Sequence, residues 1–247
     1  MLDVRVSTSS PTTASTATSL GPGRLAARAD VGGGLVQHDI EVPPSHAASY
    51  RSPGQYTSIA AGTSATYFAL AGDPLHSPWS ILVRAGGEVV DALLALPLGA
   101  DIALSPALGE GFPMAGAAGR RLFVVATGSG LAAVRPVVGA RLRAGLESST
   151  ELFLGVRSGA DLPLAAEVTA WRLAGLAVTV CCSRETGGLA GCRPGYVQDA
   201  LRARAERSAG DVRGALVFAA GADAMIRQLR DVARDLELGE TDVRTNY

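Results

Sequence analysis

The sequence predicts two units of different class: a small all-β barrel over residues 22–116, then a Rossmann-like, doubly wound α/β domain over 117–247. Three observations carry this. From 22 to 116, short apolar runs are cut every few residues by Gly, Pro and Asp, the rhythm of strands joined by tight turns. Beyond 117, buried-strand runs alternate with segments of helical period, which implies a parallel sheet covered on both faces. Between one such strand and its helix lies T-G-S-G (127–130), a small turn that lets a ligand approach the backbone.

Element by element, GGLVQHDIEV, PGQYTSIAA, ATYFALAG, WSILVRAGG and DIALSPALGEG read as barrel strands with their turns, and EVVDALLAL (88–96) as one short helix. The boundary falls in MAGAAG (114–119). Strands follow at RLFVVAT (121–127), ELFLGVR (151–157), LAVTVCCS (176–183) and GALVFAAG (214–221). Helices are predicted after the first of these and at PLAAEVTAWRLA (163–174), YVQDALRARAE (196–206) and DAMIRQLRDVARDLEL (223–238), the last with Asp223 as N-cap. Residues 1–21 form a tail. Its stretch STSSPTTASTATS (7–19) has too little apolar surface to fold.

Composition removes several function classes. The chain has 22 basic and 23 acidic residues, a net charge of -1, which excludes the basic stripe of a general nucleic-acid binder. Every basic residue is arginine. No run approaches the roughly 18 apolar residues of a membrane span. Cys181, Cys182 and Cys192 contain no C-x-x-C, and His38, His46 and His76 lie far upstream. No metal site is expected, and the cysteines read as buried or free thiols of a reducing compartment. The first 29 residues carry little acid and a few arginines, as transit peptides do. A plastid stroma or the cytoplasm is the expected location, with an ordinary disordered tail as the other reading.

In a parallel sheet, ligands sit at the carboxyl ends of strands beside helix N-termini, where free N–H groups attract phosphate. Gly128 and Gly130 have no Cβ to obstruct a ligand, and Thr127 and Ser129 add hydroxyls. The rival is a hydrolase with Ser129 as nucleophile. It requires G-x-S-x-G and a histidine after the serine. Here the residues two positions either side of Ser129 are Thr127 and Leu131, and every histidine precedes it.

The ordered set PGQY (53–56), SPALGEGF (105–112), ATGSGLAAVR (126–135), LFLGVRSGADLPLAAE (152–167) and FAAGADAM (218–225) resembles the ferredoxin–NADP reductase family, most nearly its pKIWI502-type plant and algal members, over about residues 30–247. The resemblance implies a six-stranded antiparallel barrel carrying FAD, a nucleotide domain for NADP(H) or NAD(H), and hydride transfer between nicotinamide and flavin. Electrons then pass to a ferredoxin-like carrier, a small acceptor or a larger redox assembly. Thr127, Gly128, Ser129 and Gly130 would face the pyridine nucleotide, with Ser129 beside the chemistry. Gly221 and Met225 stand where the family has C-G-x-x-x-M, Ala220 replacing the cysteine. Ser183, Arg184, Tyr196 and Gln198 are similar to the S-R-E…Y-x-Q set that reads an adenosine 2′-phosphate. A dianion suits an arginine fork with a hydroxyl, and Arg157 ends the preceding strand nearby. The other reading of Arg184 is a solvated pair with Glu185. Tyr247, the last residue, takes the place of the aromatic that stacks on the flavin and yields to nicotinamide; a frayed end is the alternative.

The barrel departs from the family's R-x-Y-S. Thr66 stands for the arginine, Phe68 for the tyrosine and Ala69 for the serine, with Tyr67 as a second ring and Tyr56 upstream on PGQY. In GGEVV (86–90), Gly86 and Gly87 remain, but Val89 and Val90 occupy the hydroxyl positions. Arg84 is the substitute cation for an FAD diphosphate. These losses leave a second reading open, a reductase-fold interaction subunit without flavin.

Overall fold

Turn-joined strands build the first sheet, as the apolar runs predict. The computed structural model describes residues 20–185, 192–208 and 212–246; the Ser/Thr-rich stretch and Tyr247 lie outside the described residues. Strands β1 (Gly21–Asp30), β2 (Leu35–Glu41), β3 (Tyr56–Ala61), β4 (Ser64–Ala69), β5 (Trp79–Arg84) and β6 (Asp101–Leu104) pair antiparallel in the order β4-β3-β6-β1-β2-β5. The sequence carries no strand signal for β1, because within it only Gly23 and Leu25 are buried and its apolar alternation is faint. Past β4 and β5 the edges meet: Leu70 bridges Ile81, and the Ala71 N–H donates to the Ser80 carbonyl at 2.7 Å. That contact closes the barrel and leaves no long free edge. Helix α1 (Pro44–Ala47) lies between β2 and β3. Helix α2 (Glu88–Ala95) packs Val89, Val90 and Leu93 into the barrel core beside Phe68 and Trp79.

In the second half, β7 (Leu122–Thr127), β8 (Thr150–Ser158), β9 (Ala177–Glu185), β10 (Cys192–Pro194), β11 (Leu216–Ala220) and β12 (Val243–Thr245) form a parallel sheet in the order β10-β9-β8-β7-β11-β12. Helices α3 (Leu131–Arg143) and α4 (Ala165–Leu173) cover one face, and α5 (Val197–Arg207) and α6 (Asp223–Asp235) the other. Residues in β7 and β11 are buried from both sides, which explains why they read as unbroken apolar runs. The edge strands β10 and β12, three residues each, are too short to carry a pattern and were missed.

Two expectations need correction. Asp223 is the first helical residue of α6, not its cap. Ala222 holds the cap position, fixed by its N–H donating to Thr127 Oγ1 at 3.1 Å. The cysteines are not all thiols: Cys182 and Cys192 form a disulfide, and Cys181 is the free, buried one. Strand β10 returns parallel to β9 with Cys192 opposite Val180, so the two Cα atoms come within 6.5 Å, inside disulfide range. Spacing along the chain holds no trace of that pairing.

The halves are joined by specific contacts. Arg143 on α3 forms a two-pronged pair with Asp73 at 2.7 and 2.8 Å. Arg135 donates to both Glu167 (2.9 Å) and Gln37 of β2 (3.1 Å). The rings of Phe112 and Phe218 stack at 4.8 Å. Buried Arg141 ties the connection into α3, donating to the Ala117 (2.9 Å) and Arg120 (3.1 Å) carbonyls, Thr150 Oγ1 (2.7 Å) and Ser149 Oγ (2.9 Å). Burial lowers its pKa, and this set of acceptors holds the charge in place. Arg141→Met keeps the apolar stem and strands those acceptors, with an expected loss of roughly 2–4 kcal/mol in unfolding free energy. A urea midpoint unchanged from the parent protein would refute this.

Candidate functional site

The strand order reverses between β7 and β11, and the crevice beyond their carboxyl ends is where such sheets take ligands. Packing there is close. A Cβ on Gly130 would collide with the Ala220 carbonyl, and one on Gly221 with Thr127 Oγ1. A Cβ on Gly155 would stand 2.7 Å from Thr127 Cγ2. Gly130 is therefore a packing glycine, which revises its expected role of leaving room for a ligand. Gly128 has that role: φ is 55°, and a Cβ there would meet nothing within 4 Å. The one-turn 3-10 segment Gly128–Gly130 runs straight into α3, and no side chain caps either element. Its leading N–H groups have no partner within the helix, so donors and the positive dipole end face the crevice.

A cleft of about 1470 Å³ opens from this point and is lined by both halves of the molecule. A pocket for one small organic ligand measures about 300–1,000 Å³, so this volume suits two. The barrel contributes Tyr67, Phe68, Ala69, Arg84 and Val90. The parallel sheet and its helices contribute Thr127, Gly128, Ser129, Gly130, Arg157, Ser183, Tyr196, Gln198, Gly221 and Met225. The residues outside its lining are Tyr56, Thr66, Gly86, Gly87, Val89 and Arg184. Tyr56 supports the wall indirectly, its ring edge-on to that of Tyr67 at 5.5 Å. Val89 is buried against the barrel, and Gly86 and Gly87 are exposed at the start of α2. Arg184 is exposed beside Ser183.

The two rings on β4 divide their work differently from expectation. Phe68 is 8% exposed and belongs to the barrel core, whereas Tyr67 is 69% exposed. Adjacent strand residues face opposite sides, so the broad free ring in the cleft is Tyr67. At the start of α2, the backbone N–H groups compete poorly as anion donors. Gly86 donates its N–H to Asp91 Oδ1 at 3.3 Å, and Glu88 and Asp91 make the first turn acidic.

Ser129 is exposed at the turn, but no histidine lines the cleft. His38 and His46 are buried elsewhere, and His76 lies against the Pro74 carbonyl in an exposed loop. The structure therefore places no histidine beside Ser129 for the hydrolase reading. Gln198 is 7% exposed and donates from Nε2 to Gln228 Oε1 at 2.6 Å, while its own Oε1 is buried with no partner in the protein. An orphan acceptor costs about 1–3 kcal/mol, and here it borders the cleft. Sequence reading missed Gln228, Gly155, Arg202 and Asn246, which also line it. Gln228 could have been found: it follows Met225 by three residues on α6 and shares its face.

Cys181 also lines the cleft. Burial pushes its thiol up to about 11, Asp199 adding to the effect and Arg193 opposing it.

A closed barrel and a parallel nucleotide-type sheet sharing one cleft define the ferredoxin reductase-like class of FAD/NAD-binding folds. Comparison with known proteins agrees: residues 124–231 match the model of the oxidoreductase NAD-binding domain. Among solved structures, an Amycolatopsis cytochrome P450 reductase superposes with a TM-score of 0.79 at 18% identity, over 93% of this chain and 70% of that one. A ferredoxin NADP+ reductase from Neisseria gonorrhoeae with bound FAD and NADP gives 0.77 at 13%, over 92% and 97%. The flavohem-like FAD/NAD binding domain of a Vibrio cholerae nitric oxide dioxygenase gives 0.79 at 13%, over 92% and 98%. At such identities the likeness is one of fold. No curated protein matches the chain by sequence. Among the described residues, no helix is long and apolar enough to cross a membrane.

The Cys181 thiol yields a pH dependence. The unfolded chain loses this proton near 9 and the folded protein near 11. Between those values the folded state holds more protons, so stability is intact below pH 9 and falls as pH rises towards 11. Denaturant titrations of Cys181→Ala across that range should show a shallower decline than the parent; parallel curves would contradict the assignment.

Proposed function

We propose that the protein is an FAD-dependent NAD(P)H oxidoreductase that passes electrons to a ferredoxin-like carrier or a small acceptor. One observation carries the proposal: a single cleft, sized for two ligands, has the exposed Tyr67 ring on one wall and the uncapped Gly128–Gly130 turn on the other. FAD, when bound, supplies a two-electron partner for the nicotinamide and releases electrons singly.

The protein's own residues supply placement. Tyr67, braced by Tyr56, offers a flat face for a tricyclic ring. Arg84 gives the barrel wall a cation for a diphosphate. Gly128 and Ser129 bring N–H donors to the pyridine nucleotide, and Met225, buried at the start of α6, fills the space beside them. The orphan Gln198 Oε1 accepts from the adenine amine, removing its desolvation cost. Tyr196, 57% exposed, covers the adenine face. Ser183 and Arg184 receive the 2′-phosphate, which makes NADP(H) the preferred coenzyme, with Arg157 adding charge on the neighbouring strand. Tyr247 shields the flavin until nicotinamide displaces it. The Neisseria reductase, of the same fold, holds FAD and NADP together, which supports this division of the cleft.

The acidic first turn of α2 favours a second reading, a reductase-fold subunit that no longer binds flavin. Absorption separates the two. The purified protein is expected to be yellow, or to become so with added FAD, and NADPH should bleach it without air. A colourless protein that takes up no FAD leaves only the second reading.

Arg184→Ala should raise the KM for NADPH by about tenfold, equivalent to ~1.4 kcal/mol, with NADH kinetics nearly unchanged. Equal losses with both coenzymes, or none with either, would remove Arg184 from 2′-phosphate recognition.

A further inference from the structure

The disulfide joins the two segments that flank one end of the cleft. On one side, Cys181 and Ser183 line the cleft, with Cys182 between them; on the other, Gly195 and Tyr196 line it just beyond Cys192. Among the described residues, the backbone ladder between these segments is short. Strand β10 has three residues, in register Cys192 with Val180, Arg193 with Cys181 and Pro194 with Cys182. Pro194 has no N–H to donate, which thins the ladder further. The next backbone contact is the Gly195 N–H donating to the Cys182 carbonyl at 3.0 Å, so the disulfide and this hydrogen bond share Cys182 as their anchor. From Gly195 the chain enters α5, which carries Gln198. Hence the register of a three-residue edge strand, together with the burial of Val197, Ala200 and Leu201 on α5, sets where Tyr196 and Gln198 stand relative to Ser183.

We propose that the Cys182–Cys192 disulfide positions the coenzyme-binding end of the cleft, and that a dithiol reductant weakens coenzyme binding by opening it. This rests on the pyridine-nucleotide reading of that end. Neither cysteine touches the ligand in this account; both act through Ser183, Tyr196 and Gln198.

The third cysteine does not interfere. Cys181 and Cys182 face opposite sides of the sheet, Cys181 among the residues under α5 and α6, and Cys182 among those under α3 and α4. With its pKa raised to about 11, Cys181 is protonated at neutral pH and is a poor attacking group. Cys182 is 1% exposed and Cys192 partly exposed, so an external thiolate meets the Cys192 sulfur first. Attack forms a mixed disulfide at Cys192 and expels Cys182 as a thiolate, which takes a proton. The reductant's second thiol then closes its own disulfide and releases Cys192 as a thiol. Two electrons and two protons enter the protein, and the dithiol is oxidised.

The test uses the full chain and NADPH as the probe. Thiol titration of the denatured protein should count one thiol per chain before dithiothreitol and three after. The dissociation constant for NADPH, followed by its fluorescence, should rise about tenfold on reduction, within the usual range for coupled sites. Reoxidation should restore it. In steady state the change should fall on KM with kcat nearly constant, and FAD absorbance should not change. Cys192→Ser should bind like the reduced protein and ignore dithiothreitol. An unchanged NADPH affinity after confirmed reduction overturns the proposal, as does a loss of kcat and FAD together, which would mark general loosening. If the oxidised protein binds FAD but no NADPH, the coenzyme reading falls and the proposal with it.

Discussion

The site depends on one close approach: the turn after β7 passes against the end of β11 with no room for a side chain between them. Gly130 abuts the Ala220 carbonyl, and Gly221 abuts Thr127 Oγ1. The same Thr127 hydroxyl accepts the N–H of Ala222, the cap residue of α6. One threonine thereby sets the start of α6 relative to β7, while two glycines let α3 begin at the adjoining position. The starts of α3 and α6, and the N–H groups they present, share a single origin. A methyl group at either glycine would push the two helices apart at the cleft.

The barrel must then be held across that floor at a fixed height. The two-pronged Arg143–Asp73 pair is solvent-exposed, and exposed pairs contribute about 0–1 kcal/mol. Its value lies in direction more than in energy. The stacked Phe112 and Phe218 rings are fully buried, and such a pair adds about 0.5–1.5 kcal/mol beyond area burial. Leu164 N–H donating to the Val31 carbonyl at 2.6 Å places the β1–β2 turn beside the loop after β8. Together these contacts bring Tyr67 and Arg84 into one cleft with Gly128.

How much of this was legible in the sequence follows from which interactions are local. The inner strands of the parallel sheet were plain, most of all where burial on both faces makes the run continuously apolar, as in LFVVAT. The T-G-S-G turn was legible because a positive φ at Gly128 is a local demand. The packing role of Gly130 was not, since the Ala220 backbone that requires it lies ninety residues away in the chain. The disulfide was hidden for the same reason, being set by the register of β10 on β9. Phe68 and Tyr67 were legible as rings but not as inward and outward ones. Strand parity fixes that only once the register against β3 is known, where Tyr67 faces Ser58. Gln198 was marked as a polar contact; that its Oε1 is left without a partner depends on Gln228 taking up its Nε2.

The two walls of the cleft differ in chemistry, and the difference has a direction. The parallel-sheet wall is rich in groups that want a ligand: uncapped N–H donors and an orphan acceptor. The barrel wall offers a ring and a guanidinium, while the adjacent helix start carries Glu88 and Asp91. A carboxylate in a first turn stabilises a helix by about 0.3–1 kcal/mol. The negative charge of these carboxylates disfavours a phosphate competing for that position. Glu88 is held there by the Ser64 hydroxyl at 2.7 Å, and Asp91 by the Gly86 N–H. On the proposed reading, a diphosphate on this wall would go to Arg84 and away from α2. Arg84 ends β5 with its guanidinium above the β1–β2 turn, close to Gly34, and Gly33 of that turn lines the cleft. The β4 position is Thr66, and the cation that lines the cleft on the barrel side is Arg84 at the end of β5.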